Sequence, residues 1–468
     1  MSTSIYRLGT ANQYDSALRN ITQRNSELTN LQENLTSGKR VVKPSDDPVA
    51  AAQAERALTR ISRIQTEQRA LDLQRNSIAQ AESTLRQAVN LSQEVREILV
   101  NAGNGIHTPK DRQTLANQLQ SLRDQMFELS SRKDTNGQPL FAALGSGLSP
   151  LLGPQSSGLD YVFDGLAGQV AANGSNIPIG LDGDAAFTFK SERDGVYHAA
   201  FQASTLTELP PSAVDGTEAR IPAVTPNRKI GTSTVEVVNQ SAVTGDAYTI
   251  QFSNVGPGTD AGTLTATYTL TNTTTGEEFE PVTLADFPVD KPLNIEISQA
   301  AAEATAGVGN EDAAVGKFIP GVKFTINATP TKAVDGTITL APANGDTFTL
   351  QPKSGLFSVI DTAIAELKGA TDNNAAIQAS AQALGNLDKA MERIHTVRGY
   401  AGELLNRADR IMGDQENRSI QLEADRSRAE DLDMVNGISK FQGLQTGYEA
   451  ALKSYSMVQK TSLFNYMA

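Results

Sequence analysis

The sequence predicts an α+β fold in which long antiparallel helices from the two chain ends form a rod, with a β-rich domain inserted between them. Proline placement is the first observation behind this prediction. Of the 19 prolines, 16 lie between residues 139 and 352, and none lies in 1–43, 49–108 or 353–468. Because a proline inside a helix removes a hydrogen bond and clashes with the preceding turn, long helices are expected only towards the two ends.

The second observation is the spacing of apolar residues in the proline-free tracts. In 49–108 they recur at multiples of seven, with a second set three positions further on, which indicates a coiled-coil-like stripe. Its members are Ile64, Leu71, Ile78, Leu85 and Leu99, with Ala81, Ala88, Val95 and Ala102. A similar pattern runs through 384–412. We therefore predict a nearly continuous helix over 48–108, about 85 to 90 Å long at about 1.5 Å per residue, packed against 384–412.

The first and last helices carry two further apolar faces. The N-terminal face is formed by Leu18, Ile21, Leu28 and Leu35, and the C-terminal face by Phe441, Leu444, Tyr448, Tyr455 and Val458. Polar residues such as Asn25, Gln32 and Gln445 interrupt both helices, so neither buries a stable core by itself. We predict that the two faces pair, that they are frayed in the monomer, and that they form an assembly or chaperone interface.

The middle of the chain has the two-residue period of strands. In LTATYTL, residues 264–270, apolar side chains alternate with threonines, as in a half-buried strand. STVEVV, AYTIQF, LNIEIS, VKFTIN, GTITL and DTFTL repeat this pattern, and Asn344-Gly345 between the last two predicts a hairpin.

These patterns predict three domains. The terminal helices occupy 1–45 and 430–468, a helical rod domain with a short β region occupies 46–199 and 353–429, and the β-rich outer domain occupies 200–352.

Composition excludes several classes of function. The 468 residues include no cysteine and three histidines, so a disulfide, a thiolate zinc site and a cysteine nucleophile are impossible. The formal charge of −13 argues against nucleic acid as a partner. No apolar run suits a cleaved signal peptide or a membrane span, so we expect no membrane insertion and, if the protein is exported, no cleaved signal. Residues 200–352 contain no histidine, and we expect no enzyme activity and no cofactor.

Loop-forming residues interrupt the helical pattern at 35–58, LTSGKRVVKPSDDPVAAAQAERAL, which we call the connector. Asp47 suits a helix N-cap, Pro48 the first helical position and Gly38 the left-handed residue that ends the preceding helix. A nucleotide-binding loop is excluded because Gly38-Lys39 lacks the upstream glycine and is followed by Arg40. A metal at Asp46 and Asp47 is disfavoured because no further ligand lies nearby in sequence. We expect a rigid link between helices.

The connector closely resembles that of the flagellin-related junction proteins of the bacterial flagellum. Pro44 and Pro48, which bracket Ser45-Asp46-Asp47, favour the hook-associated members over flagellin itself. Three further segments agree: NGQPLFAALGS at 136, NGDTFTLQPKSGLFSVIDTAIAEL at 344 and SLFNYM at 462. The resemblance covers about 1–190 and 344–468, and the insert between them matches no family pattern.

The resemblance implies a structural adapter that assembles as a homo-oligomeric ring and connects the hook, through hook-associated protein 1, to the flagellin filament. It also implies a flagellar export chaperone as a partner, and an extracellular location reached through the flagellar export channel. The alternative within the family is a flagellin-type filament subunit. The alternative from another class is a secreted enzyme or adhesin on a helical stalk.

Overall fold

The chain divides into two units in the computed structural model, which describes residues 10–142, 149–154, 160–164, 177–204, 228–300, 302, 318–332, 338–370 and 372–467. The terminal unit comprises Met1–Asp72 and Asp409–Ala468, and the central unit comprises Leu73–Ala408. These boundaries differ from the three domains predicted above because composition marks where helix gives way to strand, whereas spatial proximity groups each helix with its neighbours. The three-domain division stays a prediction.

Long helices come from both chain ends, and strands lie between them, which confirms the predicted fold class. The helices are α1 (Thr10–Ser37), α2 (Pro48–Ala102), α3 (Pro109–Ser130), α4 (Gly183–Phe187), α5 (Ser191–Asp194), α6 (Leu356–Gly369), α7 (Asn373–Glu430) and α8 (Met434–Met467). A short 3₁₀ turn spans Gln240–Ala242.

Helix α2 ends six residues before the predicted boundary at 108. Its last turn closes where the Gly103 amide donates to the Leu99 carbonyl at 3.0 Å. Thr108 then begins α3 with a reciprocal cap. Its hydroxyl accepts from the Asp111 amide at 3.3 Å, and the Asp111 carboxylate accepts from the Thr108 amide at 3.0 Å. A pattern of apolar spacing cannot show that a second helix starts with its own cap.

The seven-residue stripe of α2 is buried along its whole length, as predicted. In the central unit α2 runs antiparallel to α7, where Arg398 Nε donates to Glu82 Oε1 at 2.8 Å and Arg96 Nε lies 3.1 Å from Asp388 Oδ1. In the terminal unit Gln415 Nε2 donates to Glu67 Oε2 at 3.4 Å. The predicted packing of α2 against the C-terminal tract is therefore confirmed.

The strands of the central unit form two main sheets. The strands are β1 (Leu151–Leu152), β2 (Val162–Phe163), β3 (Tyr197–Gln202), β4 (Lys229–Thr232), β5 (Glu236–Val237), β6 (Tyr248–Pro257), β7 (Thr263–Asn272), β8 (Glu277–Glu278), β9 (Val282–Pro288), β10 (Leu293–Ile297), β11 (Val322–Thr329), β12 (Thr331–Lys332), β13 (Ile338–Thr339) and β14 (Thr347–Pro352). One sheet has the order β3-β14-β6-β7, with β8 and β9 both on β7. The other has the order β10-β11-β4, with β5 on β11.

The predicted alternation is clearest in β7, where every second residue from Leu264 is buried. Inward residues of both sheets form one apolar core that includes Phe252, Tyr268 and Phe324. The predicted hairpin at Asn344-Gly345 is wrong, because β13 pairs with β12 while β14 pairs with β3 and β6. The Asn344 side chain instead accepts a hydrogen bond from the Val255 amide at 2.7 Å, which docks this turn on β6.

Candidate assembly site

Helices α1 and α8 lie antiparallel in the terminal unit. Gly437 is buried where they cross, and a side chain there would meet Leu35 at 3.1 Å. The predicted face residues Ile21, Leu28, Leu35, Phe441, Leu444, Tyr448 and Tyr455 are each half-buried. Leu18 is 55% exposed and lies outside this seam, where Ala17 lines the groove beside Ile21. The Val458 side chain lies outside the described residues.

The α1–α8 pair leaves much of its apolar surface uncovered. All seven residues of the seam keep part of their side-chain surface accessible to solvent. A groove of about 610 Å³ between the two helices is lined by Ile21, Leu444 and Tyr455 among others. On the remaining surface of α8, Val435 is 82% exposed, and Ile438, Leu452 and Met457 are also exposed. Extended apolar surface of this kind is typical of association sites.

The connector is tied to the joint between α7 and α8. Lys39 and Asp431 form an isolated antiparallel bridge. The Arg40 amide donates to the Glu430 carbonyl at 2.7 Å, and the Leu432 amide donates to the Gly38 carbonyl at 2.9 Å. These backbone bonds hold the α1–α2 joint against the α7–α8 joint.

Side chains strengthen the same contact. Arg40 Nη2 donates to the Ala429 carbonyl at 2.8 Å, and Lys39 forms an ion pair with Glu430. The alanine run also packs here, because Val41, Ala50, Ala54 and Ala429 form a small buried cluster. The sequence showed these alanines only as helix formers. Their packing role depends on Ala429, which lies at the other end of the chain.

Both connector carboxylates are occupied by structural hydrogen bonds. Asp46 Oδ2 accepts from the amides of Val42 and Lys43 at 3.2 and 2.8 Å. Asp47 Oδ1 accepts from the Ala50 amide at 3.0 Å and so caps α2, which begins at Pro48, while Arg40 Nη1 donates to Asp47 Oδ2 at 3.1 Å. The hydrogen bond from the Ala50 amide, helped by the Arg40 guanidinium, lowers the pKa of the Asp47 carboxyl.

Gly38 has a φ of +71°, a conformation that favours glycine, where α1 ends. Among the described residues, no group of three acidic or histidine side chains is placed to hold a metal ion.

Several polar side chains of the central unit form hydrogen bonds and ion pairs that link its helices and strands. His198 Nε2 lies 2.5 Å from Glu366 Oε1, which joins β3 to α6. Arg123 Nε donates to Asp361 Oδ1 at 2.7 Å, and the Tyr161 hydroxyl donates to the other oxygen of the same carboxylate. Burial next to that carboxylate raises the pKa of Tyr161. Across the described ranges, no helix combines the length and apolar character that a membrane crossing requires.

Two family models match the helical regions at the two ends of the chain. Residues 9–145 match the bacterial flagellin N-terminal helical region, and residues 384–467 match the bacterial flagellin C-terminal helical region. The chain therefore carries flagellin-type helical regions at both ends.

Within that class the similarity is to flagellar hook-associated protein 3. The chain is 36% identical to the protein of that name from Salmonella typhimurium over 146 residues, and 36% identical to that of Escherichia coli over 148 residues. Each match covers 31% of this chain and 45% of the relative, so the chain spans about half the length of the curated relatives it matches. These matches confirm the resemblance to the hook-associated junction proteins.

Solved structures support the fold. A flagellar hook-associated protein 3 from Legionella pneumophila superposes with a TM-score of 0.53 at 20% identity, covering 79% of this chain and 97% of that one. FlgL from Xanthomonas campestris superposes with a TM-score of 0.51 at 20% identity, covering 80% and 99%. At this level of identity the likeness concerns the fold alone.

Proposed function

We propose that this protein is a structural subunit of the bacterial flagellum that joins the hook, through hook-associated protein 1, to the flagellin filament. The observation that carries this proposal is the 36% identity to flagellar hook-associated protein 3 over 146 residues, together with the match of residues 9–145 to the flagellin N-terminal helical region. The geometry is consistent with it, because Asp46 braces the connector and Asp47 caps α2 through hydrogen bonds to backbone amides. Catalysis has no place in this proposal.

Assembly explains the uncovered faces of α1 and α8. Half-buried side chains such as Ile21 and Tyr455 would be covered only when neighbouring subunits add their own helices. Head-to-tail contacts between identical subunits close into rings when the rotation between them permits. The protein would therefore act as a ring in the assembled flagellum. Before assembly, the same apolar face would be held by a flagellar export chaperone, and the chain would leave the cell through the flagellar export channel.

A filament subunit is the second candidate. The chain is 28% identical to the flagellar filament core protein flaB2 of Brachyspira hyodysenteriae over 120 residues, which is 26% of this chain and 42% of the relative. The identity is lower than with the hook-associated proteins, so the junction role is favoured.

Deletion of the gene distinguishes the two roles. Loss of a junction subunit should leave completed hooks without filaments and release unpolymerised flagellin into the medium. Loss of a filament subunit should shorten or remove the filament while the hook-associated proteins remain at the end of the hook. Intact filaments in the deletion strain would contradict both roles.

A further inference from the structure

The two flanks of the α2–α7 helix pair in the terminal unit differ in charge. One flank carries a groove of about 570 Å³ whose lining includes Arg40, Arg56, Arg60 and Arg428. Val49, 67% exposed, adds an apolar residue to it. Two carboxylates, Asp47 and Asp425, also line the groove and pair with Arg40 and Arg428. Arg56 and Arg60 are exposed and have no ion-pair partner among the described residues. We call this surface the cationic flank.

The other flank is predominantly acidic and also partly apolar, and it carries one exposed cation on α2, Arg69. On α7, Glu416 and Glu423 are exposed seven residues apart, and Ile420 between them is 61% exposed. On α2, Leu58 is 45% exposed and Glu55 is exposed. Glu416 has no ion-pair partner within the described ranges, and Glu423 pairs only with Arg426 of its own helix at 2.5 Å. We call this surface the acidic flank.

Helix geometry separates the two flanks. Gln415 marks the side of α7 that faces α2, since it bonds to Glu67. Successive residues of a helix are about 100° apart, so Glu416 lies to one side of Gln415, whereas Asp425 lies about 80° to the other side, in the groove. On α2, Leu58 follows the buried Ala57 on the side away from Arg56 and Arg60.

We propose that the acidic flank of one copy docks on the cationic flank of the next copy. Because the two flanks lie on opposite sides of the helix pair, a two-fold symmetric contact could bury only one of them. Built on the cationic flank, such a contact would bring Arg56 and Arg60 of one copy close to those of the other, and like charges in contact are unfavourable. Only a head-to-tail contact brings Glu416 and Glu423 to the two arginines, and the exposed Ile420 and Leu58 to the apolar part of the groove near Val49. A head-to-tail contact is also the kind that generates rings and helical lattices. This inference rests on the proposed assembly role and names the surfaces that carry it.

Each such ion pair between exposed groups is weak, so the contact depends on several pairs together and weakens as salt screens them. The subunits would therefore stay separate when dilute and associate where they are locally concentrated.

Charge reversal tests the proposal. Arg56→Glu with Arg60→Glu makes both flanks acidic, and Glu416→Arg with Glu423→Arg makes both basic. Arg and Glu are both good helix formers, so the helices should persist, which circular dichroism checks. The dissociation constant for self-association is measured by analytical ultracentrifugation at low salt. For a mixture of the two variants it should be at least tenfold lower than for either variant alone. A single chain carrying all four substitutions should self-associate like the wild type.

The control places the same charge changes elsewhere. Lys291→Glu with Lys332→Glu, and Glu277→Arg with Glu278→Arg, alter exposed residues of the central unit. If the test mixture associates no more tightly than the control mixture, the proposed interface is wrong.

A chain with one reversed flank that still occupies the boundary between hook and filament would overturn the interface and leave the junction role intact. If the variants associate in sedimentation as predicted but this protein is not found in isolated flagella, the interface would be supported and the junction role would be wrong.

Discussion

Lys39 and Asp431 pair in an antiparallel bridge that joins the turn after α1 to the turn after α7. The chain positions that it connects lie almost at opposite ends of the sequence, yet the Arg40 amide reaches the Glu430 carbonyl at 2.7 Å beside it. The connector between α1 and α2 and the turn between α7 and α8 are thus hydrogen-bonded to each other.

Gly38 tests the backbone of that joint. A Cβ built on Gly38 meets no atom within 4 Å, so Gly38→Ala adds only the strain of the left-handed conformation at φ +71°. We expect a loss of about 1 to 2 kcal/mol in the free energy of unfolding, measured with urea. Gly38→Asn should lose less, because asparagine tolerates this conformation. Equal losses in the two variants would contradict the assignment of strain.

The Asp47 carboxylate should make the terminal unit less stable as the pH falls into the acid range. Its pKa is lowered from 3.8 in the folded state, so its charge stabilises the fold above that value, and the contribution is lost as pH falls through the lowered pKa. Asp47→Asn should therefore lower the melting temperature at pH 7, and the difference should shrink as the pH falls below about 4. Melting curves of the two proteins across pH 2–7 measure this. A difference that stays constant down to pH 2 would show that the charge is unimportant.

The β-rich part depends on the buried pair Arg228 and Asp346. Arg228 Nη1 donates to Asp346 Oδ1 at 2.8 Å, and the carboxylate also accepts from the Ala343 amide at 2.7 Å. Asp346→Ala would leave a buried guanidinium without its partner, which should cost about 3 to 5 kcal/mol. Glu278→Ala, at an exposed carboxylate, serves as the matched control and should change stability by less than about 0.5 kcal/mol. A loss below about 1 kcal/mol for Asp346→Ala would mean that water replaces the lost partner.

The terminal helices should be the first segments that a protease cuts. Their shared seam is only half-buried, and the exposed Val435 and Leu452 show that α8 keeps apolar surface uncovered. Limited proteolysis of a verified monomer, followed by mass spectrometry, should locate early cuts in α1 and α8, while the chain from about residue 50 to 430 resists. Uncut termini would show that α1 and α8 are already stable without neighbouring subunits.

The sequence predicted those features that depend on neighbours within one helix or strand. The stripe from Ile64 to Ala102 and the alternation in β7 are local periodicities, and both are present in the structure. The sequence could not predict which segments are in contact when they are far apart along the chain. Arg40 bonds to a residue 389 positions away, and the failed hairpin at Asn344-Gly345 came from assuming that adjacent strands pair.

The same limit applies to the candidate site. The periodicity of α1 suggested Leu18 as a seam residue, although Ala17 occupies that place, because a pattern of threes and fours leaves the exact facing angle open by one residue. Glu430 and Asp431 were missed because nothing in their local sequence distinguishes them from other exposed acids.

Position in the flagellum tests the central claim most directly. Flagella isolated from the source bacterium can be labelled with gold-conjugated antibody against the β-rich insert and imaged by electron microscopy. The account predicts label confined to a narrow band at the boundary between hook and filament. Label distributed along the filament would contradict it and would identify a filament subunit instead.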